Sequence, residues 1–173
     1  MTAGITIAID AMSGDEGSSV VVPAALAFLQ RQSEKSALKQ NKAFNIVLVG
    51  KQDELRALLL SYPENPLISI VHADTVVCMG DRPSQVLRKK QNSSMAVALC
   101  LVRDGKADAC VSAGNTGALM VLGRSILGMY PGIDRPAITK MFPSQGGGCF
   151  VLDLGANVDS SAEHLLQFAI MGQ

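Results

Sequence analysis

Short apolar runs and longer stretches with apolar residues at helical spacing take turns along this chain. Ile5-Thr-Ile-Ala-Ile9, Phe44 to Val49, Leu67 to Val71 and Ala107 to Val111 read as buried strands. Between them the pattern predicts helices: from Ser18 or Ser19 to about Gln32, from Asp53 to about Tyr62, from Pro83 or Ser84 to a break near Asn92-Ser93-Ser94, and from Met95 to Val102, with Gly105 as the stop. Ser33 to Ala43 is polar and reads as a surface connection, and Ala73 to Arg82 as a longer loop. After Val111 a further helix carries Leu119, Val121, Leu122, Ile126 and Leu127 on its apolar positions. Ala137 to Phe142 and Cys149 to Leu154, joined by the polar, glycine-rich Ser144 to Gly148, read as an antiparallel hairpin. A last helix covers Leu165 to Gly172 and runs to the chain end without a cap. Strands alternating with helices predict an α/β fold: a three-layer, doubly wound, mostly parallel sheet covered on both faces. No internal boundary is visible, so residues 1–173 read as one domain.

Composition narrows the class. A chain with 48% hydrophobic and 17% charged residues is globular rather than disordered, and its zero net charge gives no support for nucleic-acid binding. No apolar run reaches the roughly 20 residues needed to span a bilayer, and no basic start precedes an apolar signal segment. Cys78, Cys100, Cys110 and Cys149 lack metal-ligand spacing and read as reduced, structural thiols of a cytoplasmic protein. No metal site is expected. His72, alone at a strand end, reads as hydrogen-bonded structure.

The candidate chemistry sits in the loops after the strands, because the carboxyl ends of strands form the ligand crevice of such sheets. The loops are Asp10 to Gly17, Asp81-Arg82-Pro83-Ser84, Ser112 to Gly117, Gly132 to Pro136 and Asp153 to Asn157. The strongest is Ser112-Ala-Gly114-Asn115-Thr116-Gly117, where a strand turns through small residues into a helix. Its backbone amides at a helix N-terminus can cradle a phosphate, with Gly114 and Gly117 allowing close approach. The same residues equally fit an ordinary turn with Asn115 or Thr116 as N-cap. This is neither a Walker A loop nor a GxGxxG fingerprint, and the lack of the latter disfavours a nicotinamide-dependent dehydrogenase. Arg82 and Arg135 can each fork two phosphate oxygens or pin a loop through an ion pair. Asp10, Asp15 and Asp153, with Gly14, are read as loop-organising. Arg88-Lys89-Lys90 is either a solvated helix face or a docking patch for an acidic partner.

Six motifs occur in order: Ile9-Asp-Ala-Met-Ser-Gly-Asp15, Asp81-Arg-Pro-Ser84, Ser93-Ser-Met95, Ser112-Ala-Gly-Asn-Thr-Gly-Ala-Leu-Met120, Gly132-Ile-Asp-Arg-Pro-Ala137 and Val151-Leu-Asp-Leu-Gly-Ala-Asn-Val-Asp159. Together they closely resemble the PlsX family, the bacterial acyl-acyl carrier protein:phosphate acyltransferases of phospholipid synthesis. The resemblance implies the fold shared by isocitrate/isopropylmalate dehydrogenases and phosphotransacetylases, present here as an incomplete, N-terminal half. It implies that inorganic phosphate attacks the thioester of a long-chain acyl-acyl carrier protein to give acyl phosphate. It also implies no cofactor, a homodimer, and peripheral membrane contact through a part absent from this chain. On that basis Ser112, Gly114, Asn115, Thr116, Gly117 and Arg82 are expected to bind phosphate, and Asn115, Asn157 and Arg135 to be catalytic. One departure stands out: the family's Gly-Gly after Asp-Ala-Met is here Ser13-Gly14.

Overall fold

The computed structural model describes residues 4–36 and 43–173. They form two compact units, 1–127 and 128–173. The first contains β1 (Ile5–Asp10), α1 (Ser18–Ser36), β2 (Phe44–Gly50), α2 (Gln52–Leu59), β3 (Ile68–His72), α3 (Pro83–Lys89), α4 (Ser94–Arg103), β4 (Ala109–Ser112) and α5 (Thr116–Leu127). The second contains β5 (Lys140–Ser144), β6 (Gly147–Val151) and α6 (Ala162–Met171).

In the first unit the strands lie in the order β3-β2-β1-β4, every neighbouring pair parallel. Side chains of β2 show why the sheet has helices on both faces. Ile46 and Leu48 join Val22, Ala25 and Leu29 of α1 and Leu55 of α2 in one core cluster. Val49, with Val47 against it, points the other way and packs with Ala98 of α4 and with Ala8. A period of two sends neighbours to opposite faces, so a strand buried on both sides must be apolar throughout. Beyond α4, Val86 of α3 and Ala118 and Leu122 of α5 build a third cluster around Met95, Ala96 and Leu99. The three-layer α/β arrangement expected from the sequence is therefore present.

The chain moves from β1 outward through β2 to β3, then returns across the sheet to place β4 on the far side of β1. Between β1 and β4 the direction of winding reverses, and this is where doubly wound sheets bind ligands.

Boundaries shift where polarity hides the period. Helix α1 runs to Ser36 rather than ending near Gln32. Its last turns carry polar residues, with Ser33 Oγ donating to the Gln30 carbonyl at 2.7 Å, and polar turns leave no hydrophobic stripe to read. The expected connection 33–43 is thus helical at its start, and its residues 37–42 lie outside the described residues. Helix α4 ends as predicted: Gly105 has φ +68°, its N–H bonds to the Val102 carbonyl, and the Lys106 N–H bonds to that of Leu101. The hairpin is antiparallel, but its ladder pairs Lys140 with Val151 and Ser144 with Gly147. Ala137 and Ile138 stay outside it because the Ile138 N–H and carbonyl are taken by Asp153 and Leu154. Helix α6 begins at Ala162, earlier than its apolar stripe, since Ser161 and His164 form a reciprocal capping box. Its C-terminal turn ends at Gly172, whose N–H bonds to the Phe168 and Ala169 carbonyls. Among the described residues no helix is long and apolar enough to cross a membrane.

Leu48 is fully buried at the centre of the sheet. Leu48→Ala is expected to destabilise the chain by about 2–5 kcal/mol in urea unfolding, whereas Val158→Ser, at a fully solvent-exposed position, changes stability by less than about 0.5 kcal/mol.

Candidate functional site

At the winding reversal, the ends of β1 and β4 are joined by side chains. Asp10 is wholly buried, and its Oδ2 accepts a 2.7 Å hydrogen bond from the Ser112 hydroxyl. Ser112 Oγ in turn accepts the Gly114 N–H at 3.1 Å. The hydroxyl's single proton goes to Asp10, so Ser112 orders the turn and has no second proton for a ligand. The loop after β1 presses on the same turn. A Cβ on Gly114 would lie 2.6 Å from Ser13 Cβ, so only glycine permits this approach. Gly14 has φ +94°, whereas no residue other than glycine has a positive φ among the described residues. The serine that departs from the family pattern therefore occupies a position that needs no glycine conformation. Asp15, expected to organise this loop, is exposed and makes no hydrogen bond among the described residues. Asp10 Oδ1, Ser13 Oγ and Ser94 Oγ are buried without a hydrogen-bond partner there, and all three belong to the segments at this edge of the sheet.

Asn115 is the N-cap of α5. Its Oδ1 accepts the Ala118 N–H at 2.9 Å, and its Nδ2 donates to the carbonyls of Met79 at 2.8 Å, Asp81 at 3.0 Å and Cys78 at 3.4 Å. The carboxamide of Asn115, a residue expected to be catalytic, is thus already fully engaged. The backbone differs: the N–H groups of Asn115, Thr116 and Gly117 find no partner among the described residues. Three donors thus stand together at the positive end of a 12-residue helix. The 81–84 loop lies alongside, since a Cβ on Gly117 would come within 2.9 Å of Pro83 Cγ. Arg82 is exposed and makes no ion pair among the described residues. Lys90 points inward, 2.5 Å from Asp81 Oδ2, so it leaves the basic cluster and only Arg88 and Lys89 are exposed. The Lys90 ammonium, helped by the Cys78 N–H, holds the Asp81 carboxyl below its ordinary range.

Cys110, on β4, is not a ready nucleophile. Burial, with the Asp10 carboxylate adding to it, pushes the thiol up to about 11. Among the described residues no cluster of three or more metal-ligating side chains occurs.

The second unit has its own polar knot. Asp153 accepts from the Asn157 side chain and backbone, both at 2.9 Å, and from the Ala156 N–H at 3.1 Å. Burial raises the Asp153 carboxyl, but these hydrogen bonds outweigh it and hold it below the ordinary value. Asp153 thus gathers the amides of the loop that follows it. Asn157 Nδ2 spends its other proton on the Pro136 carbonyl at 3.2 Å, so its carboxamide N–H groups are also engaged. On the other side of Arg135, buried Gln167 accepts the Asp134 N–H and donates to its carboxylate, both at 2.8 Å. Arg135 is exposed between these anchors and lines an open hollow of about 680 Å³ with Asn157, Asp159, Ser161 and His164. The sequence reading missed Gln167 and Lys90 as anchors. The available signal was a glutamine among the apolar residues of α6 and a lysine at the end of a basic run.

The structure brings together the 10–17, 81–84 and 112–117 loops in the first unit, and the 132–136 and 153–157 loops in the second. Residues 5–173 match the family described as fatty acid synthesis protein. The chain belongs to this family. It is 60% identical over 168 residues to a phosphate acyltransferase of Marinobacter nauticus, covering 97% of this chain and 46% of that protein. Phosphate acyltransferases of Legionella pneumophila and Pseudomonas aeruginosa are 51% and 52% identical, with 97% and 96% of this chain and 47% of each relative covered. The chain spans about half the length of these curated relatives.

The depressed Asp81 carboxyl has a consequence for acid stability. Its contribution is fully present above the unfolded carboxyl value of about 3.9 and fades as pH falls through the lower folded value. Asp81→Asn is expected to lower the thermal midpoint most near neutral pH, with the gap from the parent protein closing towards pH 3 in melts followed by circular dichroism.

Proposed function

We propose that this chain carries the phosphate-holding part of an acyltransferase that moves a long-chain acyl group from acyl-acyl carrier protein to inorganic phosphate. The observation that carries the reading is the trio of unpaired amides at Asn115, Thr116 and Gly117, at the winding reversal and beside the Arg82 loop. The phosphate acyltransferase relatives support it. In this reading a phosphate sits on the three amides, and Arg82 offsets its charge with a forked contact. Ser112, Gly114 and Asn115 shape the cradle through the bonds described above.

The reaction needs no protein nucleophile. A phosphate oxygen attacks the thioester carbonyl, a C–O bond forms, the C–S bond breaks, and the carrier's thiolate leaves with the electron pair. A thiol with a pKa of about 8.5 departs without an obligatory general acid. What the protein supplies is position and charge stabilisation. In the second unit Arg135, held between Asp134 and Pro136, is an exposed cation with the same forked capacity for an oxyanion. The product is acyl phosphate for phospholipid synthesis, made in the cytoplasm by a homodimer that touches the membrane peripherally through a segment outside this chain.

Two outcomes test the reading. Phosphate titrated into the labelled chain is expected to shift the amide signals of residues 115–117, and Arg82→Ala to raise the phosphate KM of the intact protein about tenfold. Unmoved amides would refute the cradle, and phosphate binding without thiol release from an acyl thioester by the intact protein would make this a non-catalytic phosphate- or nucleotide-binding module. Separately, Arg88 and Lys89 are the docking charges for the acidic carrier protein. Reversing both is expected to raise the KM for the acyl donor at low ionic strength, with the effect fading as salt screens it.

A further inference from the structure

Lys90 looks from its neighbours like part of a solvated basic face, yet its ammonium is turned into the protein. It donates to the Val76 carbonyl at 2.7 Å and to Asp81 Oδ2 at 2.5 Å. Asp81 Oδ2 also accepts the Cys78 N–H at 2.7 Å. Only 26% of each of these two side chains is exposed, whereas a surface lysine normally keeps its head in water. Together with Asn115 Nδ2, the ammonium collects four carbonyls of one short segment: those of Val76, Cys78, Met79 and Asp81. That segment runs directly into Arg82. On the other side of Arg82, Pro83 is wedged against Gly117. The backbone of an exposed arginine is therefore fixed from both directions, and both fixing points lead to the turn with the unpaired amides.

We infer that Lys90 is a positioning residue: with Asn115 it sets the 76–82 segment so that Arg82 stands beside the amides of residues 115–117, where an oxyanion sits. This rests on the phosphate reading above. A methionine at position 90 keeps an unbranched apolar stem but offers no donor. The Val76 carbonyl then loses its side-chain partner and Asp81 Oδ2 keeps only the Cys78 N–H, so the segment loosens without a cavity opening beneath it. Arg82 keeps its charge but loses its fixed origin, which weakens a forked contact that depends on geometry.

The test compares Lys90→Met, Lys90→Arg and Arg82→Ala in the intact protein, with inorganic phosphate and an acyl-acyl carrier protein as substrates. Lys90→Met is expected to raise the phosphate KM about fivefold to tenfold and leave the KM for the acyl donor within about twofold, with Lys90→Arg recovering part of the loss. Hydrogen exchange of the Cys78 amide is expected to speed up in Lys90→Met and not in Arg82→Ala. If Arg82→Ala raises the phosphate KM and Lys90→Met does not, the inference is overturned while the phosphate reading stands. If Arg82→Ala has no effect either, the reading falls and takes the inference with it. A parallel rise in both KM values with a lowered melting point reduces Lys90 to general structural support, which also overturns the inference. Should Lys90→Met fail to fold, Asp81→Asn serves in its place, with the same selective rise expected and the same selective silence counting against.

Discussion

A carboxylate with no access to water at the end of the central strand is the constraint on which the first unit is organised. Burying Asp10 without a partner is costly, and the Ser112 hydroxyl at 2.7 Å offsets part of that cost. The bond lies where β1 and β4 run side by side, so it ties together two segments about a hundred residues apart in the chain and belongs to the tertiary structure alone. Because the hydroxyl gives its proton to Asp10, its lone pairs remain to accept the Gly114 N–H. That second bond starts the turn that leaves the next three amides without partners. The buried Asp10–Ser112–Gly114 chain of hydrogen bonds therefore leads directly into the turn at which helix α5 presents its donors.

The same economy of polar groups recurs around each exposed arginine. Arg82 follows a segment whose carbonyls are gathered by a carboxamide and an ammonium. Arg135 stands between an aspartate held by Gln167 and a proline carbonyl held by Asn157. In both units polar side chains, donating or accepting, bind the residues beside the arginine, and the guanidinium is left exposed. A long cationic side chain carries considerable rotamer freedom, and fixing its origin reduces what a ligand must order on binding.

Much of the fold was legible along the chain. Apolar runs placed the four parallel strands, and glycine and serine signals placed the end of α4 and the turn after β4, because a doubly buried sheet demands continuous apolar strands. The boundaries of α1, α6 and the hairpin were not legible. They depend on polar caps and on bonds such as Ile138 to Asp153, which leave no hydrophobic period. The loops after β1 and β4 meet at one edge, as strand ends in this architecture do. The division of labour within the loops was not legible. Asn115, Ser112 and Asn157 carry polar atoms suited to a ligand, and nothing in their type reveals that those atoms are already engaged.

The sequence by itself determined the class of fold, the family and the edge of the sheet where small residues expose backbone amides, because periodicity and motif spacing are written along one dimension. The tertiary structure alone decided which donors remain unpaired, that Lys90 faces inward while Arg82 does not, and that Gln167 bonds to Asp134 beside Arg135. The reason is physical: whether a polar atom is available depends on which partners folding brings within about 3 Å of it, and those partners come from segments that the linear order keeps far apart.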